Sequence, residues 1–196
     1  MKIIDISQEI MSCKVYPGDP APKGERLVSM DRGDVYNMSA FSMCAHNGTH
    51  VDAPFHFINE GKTIDQMPPE SFVGLCYVVR HNGEVTADDA VEIMEKAVNN
   101  GAGERILIAG DTVVTEEAAE VFADHNIKLI GNESQSVGPE NAPMKVHKIL
   151  LSKEIVLLEG VVLDGVKEGK YFLSALPLNI KGFDGSPCRA YLIELE

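Results

Sequence analysis

Short apolar segments alternate with capped helical segments in the middle of the chain, and this alternation constrains the fold more than any other feature. The apolar segments are LCYVVRH (75–81), RILIAG (105–110) and IKLIGNE (127–133), and they have the length and composition of buried strands. Between them, Thr86 and Thr115 are each followed by acidic residues and a helical apolar pattern, as is typical of a helix N-cap. Strands joined by helical crossovers predict parallel pairing in one sheet.

Extended segments flank this central unit on both sides. KIIDIS (2–7) and VYNMSAFSMCAH (35–46) alternate polar and apolar residues with the period of a strand. After the central unit, the sequence predicts a helix over 142–151 and three strands, which are EIVLLEGVVL (154–163), KYFLSALPLNI (170–180) and CRAYLIELE (188–196). Because no repeat or linker separates these elements, we expect a single α/β domain over residues 1–196, built on a mixed sheet.

Charge and cysteine content exclude several functional classes. The 196-residue chain has a formal net charge of −13, so we expect neither nucleic acids nor anionic membranes as partners, since both need basic surfaces. No stretch approaches the roughly 20 apolar residues of a membrane span, and the N-terminus lacks the pattern of a signal peptide. The four scattered cysteines form no CxxC pair, as is typical of reduced thiols in a cytoplasmic protein.

The segment CAHNGTHVDAPFHF (44–57) concentrates residue types that bind metals, namely His46, His50, Asp52 and His56. Its glycine and proline disfavour a helix. In an extended segment, His50 and Asp52 project to the same side, and a bend at Asn47–Gly48 would bring His46 beside them. Two imidazoles and a carboxylate suit a divalent ion such as zinc or manganese. His56 follows the proline and would reach the same cavity from another direction.

The alternative is a polar loop that happens to be rich in histidine. A single histidine is usually a surface or hydrogen-bonded residue, and this is the state that we expect for His81 and His125. Four side chains of ligand type at such short spacing arise much less often by chance. The segment therefore predicts a metal site.

HNGTHVDAPFH resembles the HxGTHxDxPxH signature of the cyclase family of metal-dependent hydrolases, which includes bacterial kynurenine formamidases and isatin hydrolases. The resemblance runs nearly end to end, because it extends to YPGDP (16–20), GKTIDQMPPESFVG (61–74) and ALPLNIKGFDGSPCRAYLIEL (175–195). It implies the swivelling β/β/α-like fold of that family and a homodimer or homotetramer. It also implies hydrolysis of a C–N bond in a small amide, formamide or lactam.

The resemblance further implies a set of site residues. The metal ligands would be His46, His50 and Asp52 from the first motif, and His147 and Glu159 from a second. They would hold one or two Zn²⁺ ions or Mn²⁺, with Asp52 as the bridge between two ions. His56 matches the catalytic histidine of the family. Independently, Glu159 interrupts an apolar strand, and a buried carboxylate is costly unless it is paired or coordinated; the alternative is a solvated strand end before Gly160.

Two segments depart from the family pattern, and the first is Ala109-Gly110-Asp111, where the family often has a threonine. In the second, the family commonly has G-[IV]-D-x-x-S where this chain has GNESQS (131–136), so Glu133 replaces the usual aspartate. We expect this segment to shape the pocket and to weaken any inference of substrate from relatives. Aromatic residues make up only 6% of the chain, and the candidates for the pocket are Tyr16, Phe41, Phe55 and Phe57, with core packing as the alternative for each.

The predicted chemistry is metal-assisted hydrolysis of a small molecule. The metal would activate water and polarise the substrate carbonyl, and His56 would transfer protons between water and the leaving group. A serine-nucleophile mechanism lacks support, since the chain has no GxSxG motif. Two alternatives stay open, which are a non-catalytic metal- or ligand-binding module on the same scaffold and a ring-closing cyclase.

Overall fold

The computed structural model describes residues 1–194 and shows a mixed α/β architecture. Within these residues the helices are α1 (Ala87–Asn99), α2 (Glu116–Asp124) and α3 (Met144–Leu151). The strands are β1 (Lys2–Asp5), β2 (Lys23–Val28), β3 (Met38–Ser42), β4 (His50–Asp52), β5 (Val73–Arg80), β6 (Gly83–Val85), β7 (Arg105–Ala109), β8 (Thr112–Val114), β9 (Leu129–Asn132), β10 (Val156–Glu159), β11 (Gly169–Ser174), β12 (Gly185–Pro187) and β13 (Tyr191–Glu194).

Nine of the described strands form one sheet in the order β1-β13-β11-β5-β7-β9-β10-β4-β12. The central strands β5, β7, β9 and β10 are parallel, and the three helices lie in the crossovers between them. All other pairings in this sheet are antiparallel. The predicted mixed sheet with parallel crossovers is therefore confirmed. Two short pairs, β2–β3 and β6–β8, lie outside it.

The first two helices begin where the sequence predicts. Thr86 caps α1, because its hydroxyl accepts a hydrogen bond from the Asp89 amide while the Asp89 carboxylate accepts one from the Thr86 amide. Thr115 caps α2 by accepting from the Ala118 amide. These contacts satisfy amides that the first turn of a helix leaves unpaired.

The core lies on both faces of the large sheet. On one face, Ile106 and Ile108 of β7 pack in a cluster with the buried sides of the helices, including Phe122. On the other face, Leu107 packs in a second cluster with residues such as Leu129. Neighbouring side chains of a strand point to opposite faces, so a strand buried on both faces is apolar along most of its length, as residues 106–109 of β7 are.

Several predicted strands are shorter in the structure. β3 ends at Ser42 because residues 44–48 turn back on themselves, with the Asn47 side chain accepting from the Cys44 amide. β10 ends at Glu159 because Gly160 has a positive φ of 67°. β11 ends at Ser174, shortly before Pro177, which has no amide to donate. The predicted last strand is present as β13, and its residues 195–196 lie outside the described part of the chain.

The strand β4 lies between β10 and β12, antiparallel to both, and this register assembles the histidine-rich motif with the C-terminal part of the chain. Asp52 is opposite Leu157 on one side and Gly185 on the other. His50 is opposite Glu159. Glu159 ends a parallel strand, and in α/β sheets such carboxyl ends are the usual place for binding sites. Among the described residues, no helix has the length and apolar composition needed to cross a membrane.

Candidate metal centre

The structure brings all six predicted site residues together. His50 and Asp52 point to the same side of β4, and a turn at Gly48, whose φ is 64°, returns His46 toward them. His56 comes from the short 3-10 helix that follows, His147 from α3 and Glu159 from the end of β10. Residues 46–56, the helix α3 and the end of β10 therefore meet at one cavity.

The two carboxylates lie between the imidazoles and direct one oxygen to each side. Asp52 Oδ1 is 2.8 Å from His46 Nδ1 and 3.5 Å from His50 Nε2. Asp52 Oδ2 is 3.6 Å from His147 Nε2 and 4.0 Å from His56 Nε2. Each oxygen of Asp52 therefore faces two different imidazoles.

Glu159 also directs its two oxygens at different imidazoles, one imidazole for each oxygen. Its Oε2 is 3.3 Å from His50 Nε2, and its Oε1 is 3.2 Å from His147 Nε2. Oε1 also accepts a hydrogen bond from the Val137 amide, which fixes the orientation of the carboxylate. The solvated strand end considered for Glu159 is wrong, since the residue is only 3% exposed.

Backbone carbonyls fix the ring orientation of two histidines. His50 Nδ1 donates to the carbonyl of Gly48 at 3.0 Å, and His147 Nδ1 donates to the carbonyl of Pro143 at 2.9 Å. Each ring then presents Nε2 without a proton when the imidazole is neutral. Histidines that bind metals are held in this way, with the second nitrogen donating to a fixed acceptor.

The donor set fits a divalent metal ion. Asp52 is fully buried, and within the described residues its Oδ2 has no hydrogen-bond donor. A buried carboxylate oxygen without a partner is costly, and a cation would supply the missing one. Two groups have ligand atoms that all lie within 4.8 Å of one another, one with His46, Asp52 and His56 and the other with His50, Asp52 and Glu159. Imidazole nitrogens with carboxylate oxygens suit zinc and manganese.

Attraction between opposite charges shifts the pKa values in this cluster. Burial lowers the pKa of His46, but contacting carboxylates, above all Asp52, outweigh burial and raise it to about 11. Burial also lowers the pKa of His50 and of His147. In both, hydrogen bonding to Glu159 raises the pKa and outweighs burial, so that the net pKa is raised. Burial would raise the pKa of Asp52, yet the neighbouring imidazoles, His46 first, hold it well below its usual range. The cluster thus has a strong negative potential, which favours a bound cation.

Asp184 also belongs to the site, and sequence reasoning did not identify it. Its Oδ2 is 2.8 Å from His46 Nε2 and 3.1 Å from His56 Nδ1. These two hydrogen bonds, that of His46 first, hold the pKa of Asp184 well below its usual range. The only signal in the sequence was the resemblance of the segment 175–195 to the family, because an acid flanked by glycines in GFDG is typical of an ordinary turn.

The cavity over the centre has a volume of about 300 Å³. Besides the histidines and Glu159, the residues that line it are Tyr16, Asp19, Phe57, Gln135, Ser136 and Pro143. Two of the four aromatic candidates therefore reach the cavity. Phe41 lies instead in a separate surface groove, and Phe55 lies outside the lining of the cavity.

The segment 131–136 contributes to the cavity, but Glu133 does not. The Glu133 carboxylate accepts from the amides of Gly110 and Leu163, at 2.7 Å and 2.8 Å, and so ties three segments of backbone together. Gln135 and Ser136 are the members of the segment that line the cavity. Glu133 therefore stabilises the backbone near the cavity, and it is Gln135 and Ser136 that shape the cavity itself.

Comparisons with known proteins agree with this geometry. Residues 4–139 match the family model described as "Putative cyclase". The chain is 36% identical to the kynurenine formamidase of Erythrobacter litoralis (strain HTCC2594), in an alignment that covers 99% of this chain and 94% of that protein. The chain belongs to the cyclase family. The family-model match includes the first motif and ends before His147 and Glu159.

Solved structures show the same fold as this cyclase-family chain. One is described as a "Potential Metal-Dependent Hydrolase With Cyclase Activity"; it is 28% identical, with a TM-score of 0.85 and coverage of 100% of this chain and 98% of that one. Isatin hydrolase A from Labrenzia aggregata, bound to benzyl benzoate, is 22% identical, with a TM-score of 0.84 and coverage of 100% and 94%; this likeness concerns the fold alone. The predictions of the family, the fold and a metal-dependent hydrolase are confirmed.

Proposed function

We propose that this protein hydrolyses a C–N bond in a small amide, formamide or lactam. In this proposal, the ligands of one or two Zn²⁺ or Mn²⁺ ions are His46, His50, Asp52, His147 and Glu159, while His56 transfers protons. The observation that carries the proposal is the pair of buried carboxylates, each with its two oxygens directed at different imidazoles. A second observation supports it, namely the unpartnered Oδ2 of Asp52.

The metal supplies Lewis-acid activation of water and of the substrate carbonyl. The chain supplies the charge balance and the geometry. Asp52 and Glu159 both extend across the centre between the imidazoles, so these two carboxylates would share in holding the one or two ions. Their hydrogen bonds and burial fix them before any ligand binds, and such preorganisation lowers the cost of assembling the site.

His56 is the residue best suited to proton transfer. Its side chain is 26% exposed, whereas those of His50 and His147 are almost fully buried, so it can contact both the cavity and the interior of the centre. Its Nε2 faces Asp52 Oδ2 at 4.0 Å, and its Nδ1 is held by Asp184. An imidazole in this position can accept a proton from water and donate one to the leaving nitrogen.

The cavity favours a small, partly planar substrate. Tyr16, Phe57 and Pro143 offer flat apolar surfaces, while Gln135 and Ser136 offer polar groups. A volume of about 300 Å³ is at the lower end of the range for small-molecule sites. The 36% identity to a kynurenine formamidase supports a formamide as the first substrate to test.

Metal analysis combined with turnover tests this proposal. We expect the purified protein to contain about one or two equivalents of zinc or manganese, as in mono- and dinuclear hydrolases, and to hydrolyse N-formylkynurenine or isatin. Chelation should abolish turnover, and added metal should restore it. His125→Ala is a matched control, because His125 is an exposed histidine at the end of α2.

Two results would contradict the proposal. Protein that binds no metal under conditions that load its relatives would refute the site. Metal binding without turnover on a broad panel of amides and lactams would favour the non-catalytic binding module. Ring closure by the same centre is the second candidate function, since a solved relative is described as having cyclase activity. Incubation with the ring-opened acid in place of the lactam distinguishes ring closure from hydrolysis.

We further propose a homodimer or homotetramer in the cytoplasm. The pair β2–β3 supports the assembly, because it lies outside the large sheet and exposes Val35, Tyr36 and Phe41 at or beside its strands. The cytoplasmic location is supported by the cysteines of the described residues, all four of which are free thiols.

A further inference from the structure

Asp184 joins two imidazoles that have different tasks in the proposed function. Its Oδ2 accepts a hydrogen bond from His46 Nε2 at 2.8 Å and one from His56 Nδ1 at 3.1 Å. The two rings stack, with centroids 4.1 Å apart and planes tilted by 31°. One carboxylate oxygen therefore fixes both the spacing and the orientation of a proposed metal ligand and the proposed proton carrier.

The chain builds this position from several independent contacts. The Asp184 carbonyl accepts from the Ala53 amide at 2.9 Å, and the Phe183 carbonyl accepts from the Ile64 amide at 2.8 Å. The turn that carries Asp184 is therefore bonded both to the histidine motif, at Ala53, and to the segment that follows it, at Ile64. Through β12, the same turn continues into pairing with β4.

Gly185 allows the turn to approach His46. A Cβ atom at this position would lie 2.7 Å from His46 Cε1 and 2.8 Å from the Val51 carbonyl oxygen, which is closer than real Cβ contacts. Only glycine lets the backbone come this near to the imidazole. The close approach is what brings the neighbouring Asp184 within hydrogen-bond distance of both rings.

We propose that Asp184 is the positioning residue of the centre, which holds His56 in the tautomer that presents a free Nε2 to the cavity and holds His46 with Nδ1 toward Asp52. The proposal rests on the proposed hydrolytic function. In the reaction, the C–O bond forms and the C–N bond breaks, while the proton lost by water passes to His56 Nε2 and then to the leaving nitrogen.

The hydrogen bond from His56 to Asp184 determines which nitrogen of the His56 ring carries the proton. When Asp184 accepts the His56 Nδ1 proton, the lone pair of the ring is on Nε2, the nitrogen that faces Asp52 Oδ2. Without Asp184, the ring would be free to rotate and to exchange tautomers. Outer carboxylates that hold metal-binding histidines typically account for 10- to 100-fold in metal affinity or activity.

The test uses the zinc-loaded protein with Asp184→Ala and the isosteric Asp184→Asn. Two-bond ¹H–¹⁵N spectra report the tautomer of each histidine, and this readout is independent of turnover. We expect His56 to carry its proton on Nδ1 in the wild type and to lose this preference in Asp184→Ala. We also expect kcat to fall about 10- to 100-fold with a smaller change in KM, and zinc affinity to fall by a similar factor.

Asp65→Ala is the matched control. The Asp65 carboxylate accepts from the Gly182 amide and so supports the same turn without touching either imidazole. An unchanged His56 tautomer in Asp184→Ala, or in Asp184→Leu if the alanine variant does not fold, would overturn the proposal, because neither side chain can accept the Nδ1 proton, whereas the amide oxygen of Asp184→Asn still can. An equal fall in kcat in Asp65→Ala would overturn it too, since the role would then be structural. Inactive wild-type protein would refute the hydrolytic function, while the tautomer measurement would still test Asp184.

Discussion

At the scale of the residue, each histidine of the centre has one ring nitrogen held by the chain and another directed at a buried carboxylate. Carbonyls hold His50 and His147, and Asp184 holds His46 and His56. The four imidazoles are nevertheless suited to different tasks, because the exposed fraction of the side chain differs among them. The most exposed imidazole is His56, and it is the one that can meet both substrate and centre.

The first prediction separates metal binding from proton transfer. His50→Ala should weaken zinc binding by more than about 100-fold, since even outer contacts account for 10- to 100-fold and His50 touches both buried carboxylates. His56→Ala should keep zinc within about tenfold of the wild-type affinity and lower kcat by about 10²- to 10⁴-fold. Competition with a chromophoric chelator gives the affinity. If His56→Ala empties the centre of metal, His56 is a ligand.

The second prediction concerns the pH dependence of stability in the metal-free protein. The ordinary pKa of 6.5 for His46 is raised to about 11 in the fold, so the resulting stabilisation is complete below pH 6.5 and is lost as the pH rises toward 11. We expect the free energy of unfolding to fall by about 1–3 kcal/mol between about pH 6.5 and 8.5. Urea titrations of wild type and His46→Gln test this, and an equal slope in both proteins would contradict it.

Sequence reasoning identified the motif residues but not their supporting residue. His46, His50 and Asp52 are close in sequence, so local spacing was enough to group them. Asp184 is 138 residues from His46, and only the pairing of β12 with β4 brings it near. No local pattern encodes such a contact. The roles of all these residues as ligands and as proton carrier stay predictions until metal and turnover are measured.

At the scale of the element, the three-residue strand β4 organises the centre. It is buried throughout and is paired on both sides, so its two ligand-type side chains have fixed neighbours. The helices α1 and α2 were predictable because Thr86 and Thr115 carry local capping signals. The ends of β10 and β11 were not predictable from the sequence. The apolar pattern continues past Gly160 and Pro177, although the strands have already ended there.

The third prediction tests the close approach of β12 to the centre. Gly185→Ala should weaken zinc binding at least about tenfold and lower stability by about 1–3 kcal/mol, because the new methyl group would press on the His46 ring and on the Val51 carbonyl. Gly24→Ala in β2 is the control, since its methyl group would meet only Met11 at 3.6 Å. Similar behaviour of the two variants would show that β12 tolerates displacement.

The fourth prediction concerns the N-terminus of α1, away from the metal centre. Thr86→Ala removes the hydroxyl that accepts from the Asp89 amide and should cost about 1 kcal/mol of stability. Thr86→Ser keeps an acceptor and should stay close to wild type. Urea denaturation gives the stability, and zinc affinity should be unchanged in both variants. A loss of zinc affinity in Thr86→Ala would show that the helix layer and the centre are coupled.

At the scale of the whole molecule, the large sheet has a hydrophobic core on each face, and the pair β2–β3 belongs to neither. All five residues of β3 are exposed, and so are five of the six residues of β2. A two-stranded pair is marginally stable alone in water and needs packing against a further surface. A second copy of this chain is the partner that the proposed oligomer provides.

The fifth prediction tests whether this exposed pair joins the subunits. Phe41 is 60% exposed and Val35 88% exposed, so replacing both with glutamate should not disturb the two cores but should place charges in an apolar contact. We expect the wild type to be a dimer or tetramer by light scattering, and Phe41→Glu with Val35→Glu to dissociate toward the monomer. Val91→Glu with Val98→Glu on the exposed side of α1 is the control, because it adds the same two charges elsewhere. A monomeric wild type would refute the oligomer, whereas an unchanged mass in the double variant would move the interface to another surface.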